Sequence, residues 1–330
     1  MTIRHATIVS LLLLGVAACS EQGKTVKIDG SSTVAPIATA AAETFRSVEP
    51  DVRVTVATSG TGGGFKKFLD PQPDLRTDIN DASRPIKKAE METAAKLGVE
   101  FIELPIALDG LAIVVHRNNT FCDHLTVAEL KRIWEPESKI NNWKDVRTGF
   151  PDLAIKLYGA GTDSGTFDYF TETIMGKEKA CRSDYTSSEN DNTLVQGVAG
   201  DPGSLGFFGL SYYEANHDKL KVLGVAERDD QPPVKPSVAT VRDGTYRPLS
   251  RPLFFYVNKS SSQRPEVQAF LKHFFARAKS IVEHPKVGYV ALSDELYSLA
   301  QTRLARGVTG SKFGGAGADR PTQLAELYRD

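Results

Sequence analysis

The first third of the chain repeats one arrangement of apolar and polar positions: a strand pattern, a run of small polar residues, and then a helical pattern. The strand patterns have the two-residue apolar period of a half-buried strand, and Pro36 lies where the first turn of a helix tolerates proline. We predict strands over 25–28 and 52–57, loops over 30–33 and 59–64, and helices over 36–46 and 65–69. This alternation favours a parallel sheet in an α/β fold.

The rest of the chain continues the alternation of strands and helices. A capping box from Thr126 to Glu129 predicts the start of a helix that runs to Trp134. Residues 105–110 contain proline and glycine and are predicted to separate two strands. We predict further strands over 99–104, 111–116, 154–158, 204–208 and 253–257, and further helices over 87–97, 166–175, 192–199, 265–279 and 293–305.

This order of elements predicts two α/β lobes with a ligand cleft between them. The strand over 111–116 carries the chain out of the first lobe and the strand over 253–257 returns it, so two strands cross between the lobes. We expect lobe 1 to comprise residues 25–107 and 253–306, and lobe 2 to comprise residues 108–252. The glycine-rich stretch that begins at Gly307 predicts a flexible C-terminal tail over 307–330.

The N-terminus has the layout of an export signal. Arg4 precedes an apolar run that ends at Ala18, and this run is too short to span a bilayer as a stable helix. Residues 1–18 are therefore a predicted signal peptide. Val16-Ala17-Ala18-Cys19 is similar to the lipobox of bacterial lipoproteins, which predicts a lipid on Cys19 and a tether over 19–24. The alternative is an ordinary signal peptide that happens to end in cysteine.

The balance of charged residues indicates which kinds of partner the protein does not bind. The chain has 40 Lys+Arg against 41 Asp+Glu, a balance that argues against binding to nucleic acid or to an anionic membrane surface. Its six histidines show no short metal-binding spacing, so we predict neither a metal site nor a cofactor.

Apart from Cys19, the chain has two cysteines, Cys122 and Cys181. In an oxidising compartment these two are predicted to form a disulfide, with two separate buried thiols as the alternative.

Small hydroxyl residues recur at the predicted helix starts. Ser-Gly-Thr occurs at 59–61 and again at 164–166, and Gly-Ser-Ser-Thr occupies 30–33. Backbone N–H groups at a helix start, together with hydroxyl donors, suit an oxyanion, and Arg84 in a neighbouring loop adds a cation. Each loop alone is more typical of an ordinary turn, but three such loops, each ahead of a predicted helix, favour an anion site. The predicted ligands are Ser32, Thr33, Ser59, Thr61, Ser83, Arg84, Ser164, Gly165 and Thr166.

Three enzymatic or nucleotide-binding motifs fit less well. Asp163-Ser164-Gly165-Thr166 matches the signature of aspartic proteases, but a single-chain enzyme needs a second copy, which is missing from the sequence. The stretch 60–67 lacks the Gly-Lys-Ser/Thr ending of a P-loop. The chain also has no Gly-x-Ser-x-Gly nucleophile elbow. An exported hydrolase remains an alternative function of a different class.

Five short segments occur in order along the mature chain: Asp29-Gly-Ser-Ser-Thr-Val, Ser59-Gly-Thr-Gly-Gly-Gly-Phe, Ala82-Ser-Arg-Pro-Ile, Gly161-Thr-Asp-Ser-Gly-Thr-Phe and Gly203-Ser-Leu-Gly-Phe-Phe-Gly. Together they resemble the periplasmic phosphate-binding proteins of bacterial phosphate ABC importers. The resemblance implies a type II periplasmic binding protein fold whose two α/β lobes close on one dehydrated phosphate. It assigns ligand roles to the same serine, glycine and threonine positions of the first, second and last loops.

The chain departs from the best-known pattern of that family at two positions. Ala160 stands where the pattern has an arginine, and Ser83 stands where it has an aspartate. We expect Arg84 to replace the missing cation. An acceptor carboxylate would separate protonated phosphate, which donates a hydrogen bond, from sulfate, which does not. Asp81, Asp163 and Asp191 are the candidate acceptors, and the sequence does not choose among them.

The resemblance also implies the partners and the location. We expect a non-catalytic, monomeric, high-affinity binder of inorganic phosphate that delivers its ligand to an ABC permease and its ATPase. The protein is expected to be exported, to the periplasm or the cell surface, and to contact the membrane only through the lipid on Cys19. The alternative within the same fold is a binder of another tetrahedral oxyanion, such as molybdate, tungstate or sulfate.

Overall fold

A computed structural model describes residues 24–315 and 324–329 of the 330-residue chain. The predicted signal peptide over 1–18, the lipidation site Cys19 and most of the 19–24 tether lie outside the described residues. Within the described part of the chain, no helix combines the length and the apolar character needed to cross a bilayer.

The structure consists of strands and helices that largely alternate along the chain. The strands are β1 Thr25–Gly30, β2 Arg53–Thr58, β3 Ile79–Ala82, β4 Phe101–His116, β5 His124–Thr126, β6 Lys156–Ala160, β7 Thr186–Ser188, β8 Ser204–Gly209, β9 Leu220–Val222, β10 Gly224–Ala226 and β11 Ser250–Asn258. The helices are α1 Ala35–Arg46, α2 Thr61–Phe68, α3 Lys88–Lys96, α4 Val127–Trp134, α5 Gly165–Met175, α6 Asp191–Gly200, α7 Leu210–Glu214, α8 Val238–Arg242, α9 Pro265–Val282, α10 Asp294–Arg306 and α11 Leu324–Tyr328.

One mixed sheet runs through the molecule in the order β2-β1-β3-β11-β4-β8-β6-β7, and β9 pairs with the end of β4. In what we call the first half, β1 is parallel to both β2 and β3. In the second half, β6 is parallel to both β7 and β8. The C-terminal ends of parallel strands lie at one edge of a sheet, so each half gathers its post-strand loops at such an edge.

The two halves are joined by the long strand β4 and its antiparallel partner β11. The first part of β4 pairs with β11, and Leu111–Val115 pair with β8 in the second half. We predicted a break over 105–110, and this prediction is wrong. The register with β11 shifts beside Pro105, where Ala107 faces Leu253 and Pro105 faces Phe254, so Ile106 is an extra residue in a bulge. A bulge accommodates a proline without ending the strand.

Most other predicted elements are confirmed to within a few residues. The capping box is present, because Thr126 Oγ1 accepts from the Glu129 N–H and the Glu129 carboxylate accepts from the Thr126 N–H. Helix α2 differs from the prediction, since it begins at Thr61 rather than at Phe65. The Gly-rich run 62–64 is therefore the first turn of a helix. This change brings the hydroxyl of Thr61 to the helix N-terminus.

The C-terminal segment differs from the predicted flexible tail. Glu103 of β4 is fully buried and accepts hydrogen bonds from the Ser311 hydroxyl, the Lys312 N–H and the Tyr328 hydroxyl. Phe313 is also buried, against Phe254 of β11. Glycine content alone predicted flexibility, but one buried carboxylate and one aromatic side chain hold residues 311–313 against the first half.

The predicted disulfide between Cys122 and Cys181 is wrong, because both cysteines are free thiols. The Cys122 N–H donates to Asn119 Oδ1 and its Sγ lies 3.5 Å from the His124 carbonyl oxygen. Cys181 precedes Arg182, whose N–H donates to the Trp134 carbonyl. Burial raises the pKa of each thiol to about 12, so neither is a ready nucleophile.

Candidate functional site

A cavity of about 900 Å³ opens at the strand ends of the first half and reaches α5 of the second half. Seven of the predicted ligands line it, and they come from four separate segments of the chain. They are Ser32, Thr33, Ser59, Thr61, Ser83, Arg84 and Gly165. Ser164 and Thr166 flank Gly165 but do not line the cavity; Ser164 is the N-cap of α5, and its Oγ accepts from the Thr166 N–H at 3.2 Å.

The loop after β1 is shaped by its own serine. Ser31 Oγ accepts from the Thr33 N–H at 3.2 Å, and the Ser31 N–H donates to the Asp81 carbonyl at 3.0 Å. These bonds link the loop to β3 and turn the chain into α1. Thr33 is consequently buried at the inner end of the cavity.

The loop after β2 holds Ser59 by both of its polar hydrogens. The Ser59 N–H donates to the Gly30 carbonyl at 3.1 Å, and the Ser59 hydroxyl donates to Asp29 Oδ1 at 2.5 Å. Asp29 Oδ2 in turn accepts from the ammonium of Lys67. Both oxygens of Asp29 act as acceptors, so the hydroxyl proton of Ser59 is committed to Asp29.

Thr61 and Ser83 form a second hydroxyl pair on the cavity wall. Thr61 Oγ1 accepts from the Ser83 N–H at 3.1 Å, and the two hydroxyl oxygens lie 3.1 Å apart. This pairing joins the N-terminus of α2 to the loop after β3. Two of the three loops of the first half therefore have a fixed relative position.

Arg84 faces a carboxylate of its own half. Its Nη1 and Nη2 donate to the two carboxyl oxygens of Glu90 at 3.0 and 2.8 Å, a bidentate ion pair. The guanidinium also lies 5.7 Å from the ring centroid of Phe65. Arg84 lines the cavity, but both of its terminal nitrogens point to Glu90.

A second arginine, which the sequence analysis missed, lies at the inner end of the cavity. Arg251 of β11 is buried and pairs in register with Asp109 of β4, whose Oδ2 accepts from its Nε at 3.2 Å. Its Nη2 donates to Thr33 Oγ1 at 3.0 Å and to the Gly165 carbonyl at 3.3 Å. Arg251 thus contacts loops of both halves, from a strand that joins them.

The sequence does contain a signal for this pair. Arg251 borders the strongly apolar stretch 253–257, and Asp109 lies in an apolar run on the partner strand. Charged residues are almost never fully buried unless they are paired, so two such residues in apolar strands indicate a buried ion pair. Burial raises the pKa of Asp109, and the charge of Arg251 opposes that shift.

The halves touch where Thr33 meets Gly165. A Cβ added to Gly165 would lie 2.1 Å from Thr33 Oγ1 and 2.7 Å from the Thr33 backbone nitrogen. No real side chain fits at such distances, so glycine is required for this approach. The contact brings the N-terminus of α5 onto the loop after β1.

None of the three candidate proton acceptors lines the cavity. Asp81 is fully buried inside the first half, where burial raises its pKa well above the ordinary value. Asp163 is exposed, and its N–H donates to Glu189 at 3.3 Å. Asp191 begins α6, and burial, followed by the charge of Glu189, raises its pKa to about 6. The carboxylates that do line the cavity are Glu90, Asp168, Glu172 and Glu178.

The chain is similar to known proteins over most of its length. The model of the PBP superfamily domain matches residues 15–278. Protein SphX of Synechocystis sp. is 46 % identical over 311 residues, which cover 93 % of this chain and 90 % of that protein. The phosphate-binding protein PstS of Staphylococcus saprophyticus is 39 % identical over 282 residues, with 84 % of each chain covered. The crystal structure of a possible phosphate binding protein from Planctomyces limnophilus is 45 % identical, with a TM-score of 0.81, and covers 87 % of this chain and 99 % of that chain.

Proposed function

Because the chain belongs to the PBP superfamily and, within it, to the family of PstS phosphate-binding proteins, we propose that it binds inorganic phosphate between its two halves and delivers it to an ABC permease and its ATPase. The relatives support this, since PstS of Staphylococcus saprophyticus is a phosphate-binding protein and the solved relative from Planctomyces limnophilus is a possible phosphate binding protein. The binding is non-catalytic and of high affinity. The protein works as an exported monomer, anchored through lipid on Cys19.

The observation that carries the proposal is the composition of the cavity wall. Hydroxyl groups and glycines from loops of the first half line one cavity together with Gly165 at the N-terminus of α5 and a buried arginine. A dehydrated oxyanion needs many hydrogen-bond donors but little surplus positive charge. The groups that line this cavity meet both requirements. The proposed ligands are Ser32, Thr33, Ser59, Thr61, Ser83, Arg84, Ser164, Gly165 and Thr166, with Arg251 added to them.

Arg251 is the better of the two candidates for the cation that contacts the phosphate. The guanidinium of Arg84 is engaged by Glu90 at both terminal nitrogens. Arg251 gives its carboxylate partner only Nε, and its Nη2 already donates to Thr33 and Gly165 at the cavity end. A bound anion within reach of Thr33 and α5 is therefore within reach of Arg251.

Lobe closure completes the mechanism. We assign residues 25–107 with 253–306 to one lobe and 108–252 to the other, with β4 and β11 as the hinge strands. Phosphate bound to the Thr33 loop attracts the N-terminus of α5, where backbone N–H groups favour an anion. Closure removes water from the anion and strengthens every hydrogen bond to it.

Calorimetric titration of the purified protein tests this function. We expect one phosphate per chain and at least about a hundredfold weaker binding of sulfate, molybdate and tungstate. Absence of heat with phosphate contradicts the proposal, and tighter binding of another oxyanion assigns the site to that anion. Steady hydrolysis of a phosphate ester by the pure protein would show instead that it is an enzyme.

The same titration separates the two arginines. Arg251→Met is expected to weaken phosphate binding by at least about a hundredfold, because a charge-assisted bond is lost and Asp109 is left buried without its partner. Arg84→Met is expected to weaken binding less. Equal affinity of Arg251→Met and wild type would remove Arg251 from the site.

A further inference from the structure

Ser59 has no proton left to give to a ligand, and its oxygen therefore faces the cavity as an acceptor. We propose that the Asp29–Ser59 pair selects a protonated tetrahedral anion over a fully ionised one. This inference rests on the proposed function and names the residues that set the selectivity of the same site. It places the selecting group outside the three aspartates that the sequence suggested.

The two polar hydrogens of Ser59 are both used inside the first half. The N–H donates to the Gly30 carbonyl at 3.1 Å, and the hydroxyl donates to Asp29 Oδ1 at 2.5 Å. Only the lone pairs of Ser59 Oγ remain for a ligand in the cavity that Ser59 lines. Gly63 in the first turn of α2 packs against this oxygen, since a Cβ added there would lie 2.9 Å from it.

Asp29 is held so that it accepts and does not donate. It is buried at the end of β1, and the Lys67 ammonium contacts its second oxygen, Oδ2. Its Oδ1 accepts from the Ser59 hydroxyl and its Oδ2 accepts from the Lys67 ammonium, so both carboxyl oxygens act as acceptors. Lys67 does not line the cavity. The direction of the Ser59 hydroxyl is therefore fixed from behind the site.

Thr33, on the loop after β1, has the opposite hydrogen-bonding role to Ser59. Thr33 Oγ1 accepts from Arg251 Nη2 at 3.0 Å, so the hydroxyl proton of Thr33 points away from the arginine. Thr33 therefore donates to a ligand, while Ser59 accepts from one. Hydroxyls that sequence analysis treats alike have opposite roles because their buried partners differ.

This pattern distinguishes two kinds of tetrahedral anion. Phosphate carries at least one P–O–H group near neutral pH and donates it to Ser59 Oγ. Sulfate is fully ionised there, so its oxygen would face the lone pairs of Ser59 and leave them unpaired. An unpaired buried polar group of this kind weakens binding by roughly tenfold to a hundredfold.

The test is the ratio of sulfate Kd to phosphate Kd, measured by calorimetry at neutral pH for the whole mature protein. In Asp29→Asn, the amide oxygen faces the Lys67 ammonium and the amide nitrogen donates to Ser59 Oγ, which frees the Ser59 hydroxyl as a donor. We expect the ratio to fall by on the order of a hundredfold, with sulfate binding gained and phosphate binding weakened. An unchanged ratio in the folded variant overturns the proposal.

Ser59→Ala gives an independent answer if Asp29→Asn does not fold. If Ser59 accepts, this variant loses phosphate affinity by about tenfold and keeps or gains sulfate affinity. A parallel loss of both affinities would show that Ser59 is a donor, and the proposal would be wrong. Asp152→Asn is the matched control for Asp29→Asn: it makes the same change in an exposed Asp–Lys pair that does not line the cavity, and it is expected to leave the ratio unchanged.

Asp168 is the rival acceptor. It lines the cavity, and its Oδ1 is buried without a hydrogen-bond partner among the described residues. If Asp168→Asn abolishes the preference for phosphate while Asp29→Asn retains it, the selecting group is Asp168 and the present assignment fails. A wild-type protein that binds neither anion refutes the proposed function itself, and the selectivity assignment falls with it.

Discussion

Side chains with the same functional group have different chemical roles in this site because their buried partners differ. Ser59 donates to Asp29, whereas Thr33 accepts from Arg251. The two arginines differ in the same way, since Arg84 gives both terminal nitrogens to Glu90 and Arg251 gives its carboxylate partner only Nε. At this scale the identity of a residue sets which bonds it can form, and its neighbours set which bonds remain.

At Gly165 the two halves lie so close together that a side chain would clash with Thr33. Gly165→Ala places a methyl group 2.1 Å from Thr33 Oγ1 and 2.9 Å from Thr33 Cα, so the halves must separate to accommodate it. We expect phosphate affinity to fall by more than about tenfold, while the free energy of unfolding changes by less than about 1 kcal/mol, because opening relieves the clash.

Calorimetry and urea unfolding measure these two effects. Gly200→Ala is the matched control, because a Cβ added at that end of α6 meets nothing within 4 Å. An affinity of Gly165→Ala equal to that of wild type would show that the contact with Thr33 is not needed for binding.

At the scale of elements, helix starts determine where polar groups meet the cavity. Helix α2 begins at Thr61 and α5 begins at Gly165, each directly after a Gly-rich or Ser-rich loop. Helix α6 begins at Asp191, where a carboxylate interacts favourably with the helix dipole but is desolvated by its surroundings. Desolvation dominates, since the pKa of Asp191 is raised to about 6.

A raised carboxyl pKa stabilises the fold only while the group is protonated. In the folded protein Asp191 keeps its proton up to about pH 6, whereas in the unfolded chain its pKa is the ordinary 3.8. Its contribution to the free energy of unfolding is therefore lost as the pH rises from about 3.8 to about 6. Asp191→Asn removes the charged form. At neutral pH we expect this variant to be more stable than wild type by about 1 kcal/mol, because the helix dipole and partial exposure reduce the full linkage effect.

Urea unfolding at neutral pH and near pH 4 checks this prediction. The gain should shrink to a small remainder at the lower pH, where the folded wild type is protonated at Asp191 and the unfolded chain, with a pKa of 3.8, is close to half protonated. Asp184→Asn is a control of opposite sign, because the hydrogen bond from Arg182 lowers the pKa of Asp184. A gain for Asp191→Asn that is the same at both pH values would contradict the linkage argument.

At the scale of the whole molecule, two strands and one buried carboxylate connect distant parts of the chain. Strands β4 and β11 cross between the halves and hold the Asp109–Arg251 pair at the inner end of the cavity. Glu103, earlier on β4, accepts from Tyr256 of β11 at 2.9 Å and from the C-terminal segment. Residues 311–313 and Tyr328 therefore pack against the first half.

Glu103→Ala is expected to release the C-terminal segment. Its removal leaves the buried hydroxyls of Tyr256 and Tyr328 and the Lys312 N–H without their acceptor, so we expect a loss of about 3 kcal/mol in the free energy of unfolding. Hydrogen exchange should accelerate at Lys312 and Phe313. Phosphate affinity should stay within about twofold, since Glu103 does not line the cavity.

Glu100→Ala, at an exposed position three residues earlier in the sequence, is the control for removing one acidic side chain. If Glu103→Ala is no less stable than Glu100→Ala, the carboxylate does not hold the segment in place. Faster exchange in the site loops as well would mean that the effect extends beyond the C-terminus.

The sequence alone predicted the parts that depend on local patterning. The strand period of β1 and β2, the capping box of α4 and the Ser-Gly-Thr loops all follow from residues close together in the chain. The same loops, through their resemblance to a family, predicted an anion site in a cleft. Local rules failed at Pro105, where a bulge kept β4 continuous, and at Cys122 and Cys181, because the count of cysteines carries no information on their distance.

Only the tertiary structure decided which polar groups meet. Arg251 and Asp109 are 142 residues apart in sequence, and the antiparallel register of β11 and β4 makes them partners. Glu103 and Tyr328 are 225 residues apart, and their bond turns a predicted tail into part of the fold. Hydrogen-bond polarity depends on such partners, because a hydroxyl group donates or accepts according to what faces it. The sequence determined which loops carry the hydroxyls; the packing of distant strands determined which way those hydroxyls point.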